Sequence, residues 1–108
     1  MATETSNGNQ LITQGPVVSA AQNTTVAVTA STSAALAANA LRRMLIIQNL
    51  STTVQANITF GPTNSSSNMV ALPPATANFI PTLFVDWWTG AVSVNLSATG
   101  SVQLTEIQ

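Results

Sequence analysis

Five side chains carry all the charge of this 108-residue chain: Glu4, Arg42, Arg43, Asp86 and Glu106. Any acid–base or nucleophilic chemistry has to be built from them, because the sequence contains no His, Cys, Lys or Tyr. A hydroxyl nucleophile needs a base beside it, and only the three carboxylates could serve. A glycosidase needs two carboxylates held across a sugar. Asp86 and Glu106 are the candidate pair, and no polar constellation accompanies them. A Gly-rich phosphate loop, an acidic cluster for calcium and a thiolate metal site are all missing from the sequence. The expectation is a protein that is not an enzyme and that takes no cofactor or metal.

Two pairs of adjacent residues remain as candidates for binding. Arg42 and Arg43 project to opposite sides of an extended chain. One of them can reach a carboxylate on a neighbouring subunit; in the plainer alternative both cap a strand end and pair locally with Asp86 or Glu106. Either way a buried Arg needs a specific partner, since without one it costs several kcal/mol. Trp87 and Trp88 are the only tryptophans. A small core does not readily take both, so one is expected in a subunit contact, where Trp is enriched among the residues that dominate binding energy. The alternatives are one indole in the core with the other under a loop, or a stacking platform for a sugar.

Composition limits the partners. An ordinary domain is about 25% charged; this chain is 5% charged, with a net charge of −1 and 45% hydrophobic residues. That hydrophobic content argues against charge-driven disorder. So weak a field neither steers charged partners nor collects phosphates, which disfavours nucleic acid. The first ten residues lack the basic and apolar runs of a signal peptide, and no apolar stretch is long enough for a membrane helix. Asn-x-Ser/Thr triplets at Asn23, Asn49, Asn57, Asn64 and Asn95 are expected by chance in a chain so rich in Ser and Thr.

The elements that must position these residues read as β-strands. Val54, Ala56, Ile58 and Phe60 alternate with Gln55, Asn57 and Thr59. The same period of two runs through 25–29, 92–96 and 102–106, as in antiparallel strands with one buried face. Met44-Leu45-Ile46-Ile47 is apolar on both faces and needs cover on both. Leu83-Phe84-Val85-Asp86-Trp87-Trp88 reads as another two-sided strand, which makes Phe84 a further contact candidate. Thr89-Gly90 and Thr99-Gly100 predict tight hairpins, whereas Pro73-Pro74 and Pro81 mark loops or edges. Residues 31–40 have alanine's helix propensity, but an extended segment is favoured, turning at Asn39, a residue that tolerates the left-handed conformation. Residues 1–23 read as an arm and 24–108 as one all-β domain, an antiparallel sandwich or barrel. Leu11-Ile12 and Val17-Val18 in the arm suit an apolar strip laid on a neighbouring surface, or equally a first edge strand.

The stretch Asn39-Ala40-Leu41-Arg42-Arg43-Met44-Leu45-Ile46-Ile47-Gln48-Asn49-Leu50-Ser51 is followed by Ile58-Thr59-Phe60-Gly61, Leu72-Pro73, Thr89-Gly90-Ala91-Val92-Ser93-Val94 and a late Glu106. This order resembles small jelly-roll or β-sandwich virion proteins of tailed phages, including capsid decoration (cement) proteins and fibre-base modules. The resemblance implies an antiparallel β-sandwich of jelly-roll type and a homo-oligomer, usually a trimer. It also implies a role on the outer capsid surface, bound to the major capsid protein, after synthesis in the host cytoplasm. The rival is a carbohydrate- or receptor-binding module of a fibre or tail, with Trp87 or Trp88 as its platform. A second proline after Leu72-Pro73, where Gly is more familiar, departs from the pattern, as do the sparse charge and the Trp pair.

Overall fold

The structure, a computed structural model, describes residues 23–65 and 70–108 and, by their backbone, two short antiparallel strands, β1 (Ser6–Asn7) and β2 (Asn9–Gln10). Most of the arm predicted for 1–23 lies outside the described residues. Leu11, Ile12, Val17 and Val18 are among those outside. Asn23, placed in the arm by sequence, begins a strand of the domain.

Eight further strands follow: β3 (Asn23–Val28), β4 (Thr32–Leu36), β5 (Met44–Asn49), β6 (Ala56–Thr59), β7 (Val70–Leu72), β8 (Thr82–Val85), β9 (Val92–Leu96) and β10 (Val102–Ile107). No helix occurs among the described residues. The strands form two antiparallel sheets in the orders β3-β10-β5-β8 and β4-β9-β6-β7, packed face to face as a sandwich.

The pairings follow a simple rule. Val28 lies opposite Val102, Thr32 opposite Val94, Leu45 opposite Val85 and Ala56 opposite Leu72. The midpoints of these pairs all fall within a residue of Asn64, so β3 to β10 trace one long hairpin whose tip lies between β6 and β7. A second set, Ile47 with Leu104 and Ile58 with Val94, has its midpoints near Thr76. These are the contacts made when the hairpin folds over and its limbs meet sideways.

Burial follows the period of two. The core is built from Leu45 and Ile47 of β5, Ile58 of β6, Val92 and Val94 of β9, and Val102 and Leu104 of β10, all at most 1% exposed. Val28, Leu36, Val54, Ala56, Phe60, Leu72, Val85 and Leu96 complete it. Each side chain of this size contributes about 1.5–3 kcal/mol when fully buried, so the alternating pattern dictates which face of each strand turns inward.

Three sequence expectations need correction. Thr89-Gly90 and Thr99-Gly100 do not close hairpins, because β8 and β9, like β9 and β10, belong to opposite sheets. A Gly-containing turn permits reversal but does not decide whether the next strand pairs beside the last or crosses the core. Here the 86–91 segment crosses as an arch, and Arg42 holds its Trp88 and Gly90 carbonyls. Secondly, β8 ends at Val85, so Trp87 and Trp88 sit on that arch and strand alternation does not orient them. Thirdly, the left-handed residue of the 31–40 segment is Ala34 (φ 48°), not Asn39. The segment is extended as expected. Its register with β9 shifts between Thr32 and Leu36, and the buried Ser93 hydroxyl accepts the Ala34 N–H at 2.9 Å while donating to Gly61 O at 2.7 Å. Asn39 turns the chain through its side chain instead, its Oδ1 accepting the Leu41 N–H at 3.0 Å.

Candidate functional site

One end of the sandwich gathers most of the residues singled out by sequence. The 37–43 and 86–91 loops meet there, beside the last residues of β10 and the first of β5. Inward positions on β10 are Val102, Leu104 and Glu106, so the strand's own period drives a carboxylate into the protein. Arg42 answers it. The Arg42 Nε lies 2.9 Å from Glu106 Oε2, with the two side chains 1% and 8% exposed. Nη1 donates to Gly90 O at 2.8 Å and Trp88 O at 3.2 Å, and Nη2 to Ala37 O at 2.7 Å. Asn39 Nδ2 adds a bond of 2.8 Å to Glu106 Oε2, and the Asn39 N–H donates to Thr89 O at 2.7 Å. The local alternative for Arg42 is the arrangement found, with Glu106 as the partner. Arg42 is a buried clamp that ties two loops to β10, and its guanidinium does not face outward. Arg43 and Asp86 are exposed.

The clamp holds the arch that carries the tryptophans. Trp88 is partly buried against the core, and its Nε1 donates to Ala91 O at 2.9 Å. Gly90 lies flat on this indole: a Cβ there would meet Trp88 Cζ2 at 2.5 Å and Cε2 at 2.8 Å. Gly90 is therefore needed for close approach and not for a left-handed turn. Trp87 points outward at 62% exposure, with an edge contact to Phe60 at a centroid distance of 4.9 Å. The two indoles are inclined at 63° and 6.1 Å apart, so they do not form one flat platform.

Strand β8, which leads into the arch, is an edge of the β3-β10-β5-β8 sheet, whose outer face carries apolar side chains. Phe84, 64% exposed, stands opposite Ile46, which neighbours Thr105 and then Thr25. Met44 stands opposite Ile107 in an adjoining row. Asn23, Gln48, Thr82, Gln103 and Ala27 complete the face, and none of its strand residues is charged, the exposed Arg43 and Asp86 lying just beyond the ends of β5 and β8. The outer face of the other sheet is different: Asn57 lies between Ala71 and Asn95, and Thr59 beside Ser93. Leu41, 72% exposed, adds an apolar tip at the Trp87 end, while Phe79 and Ile80 are exposed at the opposite end.

That opposite end has a polar node that the sequence reading missed. Asn49 is fully buried, and its Nδ2 donates to Val54 O, Leu72 O and Pro73 O at 2.9–3.1 Å while its Oδ1 accepts the Ser51 N–H. Its parity with Leu45 and Ile47 was the available signal: a polar residue at the third inward position of a strand requires internal partners. Such burial also removes Asn49 as a glycosylation acceptor. Among the described residues no three acidic, His or Cys side chains cluster as a metal site, and no helix is long and apolar enough to cross a membrane.

Comparison with protein-family models, curated proteins and solved structures finds no match to this chain.

Proposed function

We infer that the chain is a non-enzymatic virion structural protein: a jelly-roll sandwich that decorates the assembled capsid lattice of a tailed phage as a homo-oligomer. The jelly-roll reading is supported by the nested pairing of β3 with β10, β4 with β9, β5 with β8 and β6 with β7 across two sheets, since a jelly roll has eight strands in a double sheet. The observation that carries the functional reading is the outer face whose strands bear no charge and on which Phe84 adjoins Ile46, with Trp87 and Leu41 exposed at its Arg43 and Asp86 end. Large apolar side chains held open on rigid elements are what a protein contact requires. Several such contacts made by one oligomer raise its avidity for a repeating lattice. In this reading the major capsid protein is the partner, the outer shell surface is the location, and nucleic acid and membrane play no part.

Co-sedimentation with empty shells of the encoding phage tests it. Wild-type protein should pellet with assembled shells, stay in the supernatant with unassembled subunits, and lose attachment in a Phe84→Ser/Trp87→Ala variant. Failure to pellet with shells, combined with selective binding on a glycan array, would transfer the reading to a sugar-binding module that uses Trp87 alone.

A further inference from the structure

We propose that β3 is a pairing edge, whose open side takes β3 of a second copy, antiparallel about a two-fold axis, so that two sheets become continuous. This names a surface for the homo-oligomer part of the reading above and rests on it.

Among the described residues each four-stranded sheet has two edge strands, and three of these four carry a device that discourages further pairing. The edge β4 is interrupted by its register shift and the left-handed Ala34. Strand β7 spans three residues and runs into Pro73-Pro74. Strand β8 spans four, directly after Pro81. Proteins guard exposed edges with bulges, prolines, charges or brevity because an open row of N–H and C=O groups templates another strand. The remaining edge, β3, has none of these. Its six residues, Asn-Thr-Thr-Val-Ala-Val, pair with β10 in unbroken register from Asn23 opposite Ile107 to Val28 opposite Val102.

The occupant must be an extended strand, and a second copy supplies one in its own uncharged β3. A two-fold axis lets one strand serve as both donor and template. No register of β3 on itself brings like charges together, which would be destabilising. The inward Val26 is only partly buried at this edge, and a paired copy extends the inner row past it. Such an isologous contact builds dimers, in contrast to the trimer that the resemblance implies.

The test is made on the full-length chain without any shell. Sedimentation equilibrium across a wide concentration range should show a monomer–dimer equilibrium. Hydrogen exchange should show alternate β3 amides gaining protection as concentration rises. Thr25→Lys/Ala27→Lys, which changes two exposed outward side chains, should shift the dissociation constant at least tenfold and abolish the concentration-dependent protection while keeping the far-UV circular dichroism. Should that variant fail to fold, the concentration dependence of wild-type protection decides. An oligomer whose β3 amides exchange alike at all concentrations overturns the edge proposal alone. So does concentration-independent protection, which would mean pairing from within the same chain. A strict monomer overturns both the edge and the homo-oligomer.

Discussion

Arg42 and Glu106, remote in sequence, meet at 2.9 Å almost entirely out of water. The pair joins the 37–43 loop to the last inward position of β10, and through the Trp88 and Gly90 carbonyls it fixes the arch that presents Trp87. Removing one partner strands the other. Arg42→Met and Glu106→Leu should each destabilise the domain by about 3–5 kcal/mol, the usual cost of a buried charge left alone. The double variant Arg42→Met/Glu106→Leu should lose clearly less than the sum of its single variants. Denaturant titrations of the four proteins measure this, and strict additivity would show that the two charges are not coupled.

Gly90 and Trp88 make a second, purely steric prediction. Gly90→Ala puts a methyl group inside the indole's contact distance, and the ring is held by its own bond to Ala91 O. The expected loss is about 1–3 kcal/mol, typical of overpacking, or roughly 4–8 °C in melting temperature for each kcal/mol. Changed near-UV circular dichroism would locate the strain at the tryptophans. Unchanged stability would mean that the arch gives way freely.

A third prediction concerns Asn49. Asn49→Leu keeps the volume and removes the donors to Val54, Leu72 and Pro73, at about 1–3 kcal/mol for each buried carbonyl left without another donor. The 73–81 loop should then exchange its amide hydrogens faster than the sheets do. Equal acceleration of loop and sheets, or no change, would contradict the node's role as the anchor of that loop.

Most of the architecture was legible because one physical rule, apolar residues on alternate positions, governs both strand formation and burial. Val102 and Leu104, Ile58 and Ala56, and Leu45 and Ile47 all face inward as their parity demands. The same parity would place Glu106 and Asn49 among the buried groups, a signal the sequence reading did not use, and their partners come from loops whose paths no local pattern encodes. The order of strands was harder to read. Thr89-Gly90 looks like a hairpin turn in isolation, yet it lies in an arch between sheets whose carbonyls the sequence-distant Arg42 holds. Trp87 and Trp88 do separate, one exposed and one packed on the core, but the cause is the arch and its flat Gly90, not strand alternation.

Trp87 separates function from folding. Its loss removes an edge contact with Phe60, worth about 0.5–1.5 kcal/mol, so Trp87→Ala should fold and melt cooperatively only a few degrees early. If Trp87 anchors the shell contact, attachment should weaken more than tenfold in the same variant, as for interface hot spots. Titration of labelled protein onto empty shells measures this. Undiminished attachment would move the contact away from this end of the sandwich.

The central claim is that the protein stabilises a lattice by binding its assembled form. Calorimetry of shells at saturating occupancy, compared with bare shells, tests it most directly. The account predicts a higher disassembly temperature with the protein bound, and a return toward the bare value with Phe84→Ser/Trp87→Ala. Identical disassembly temperatures for bare and saturated shells would contradict it.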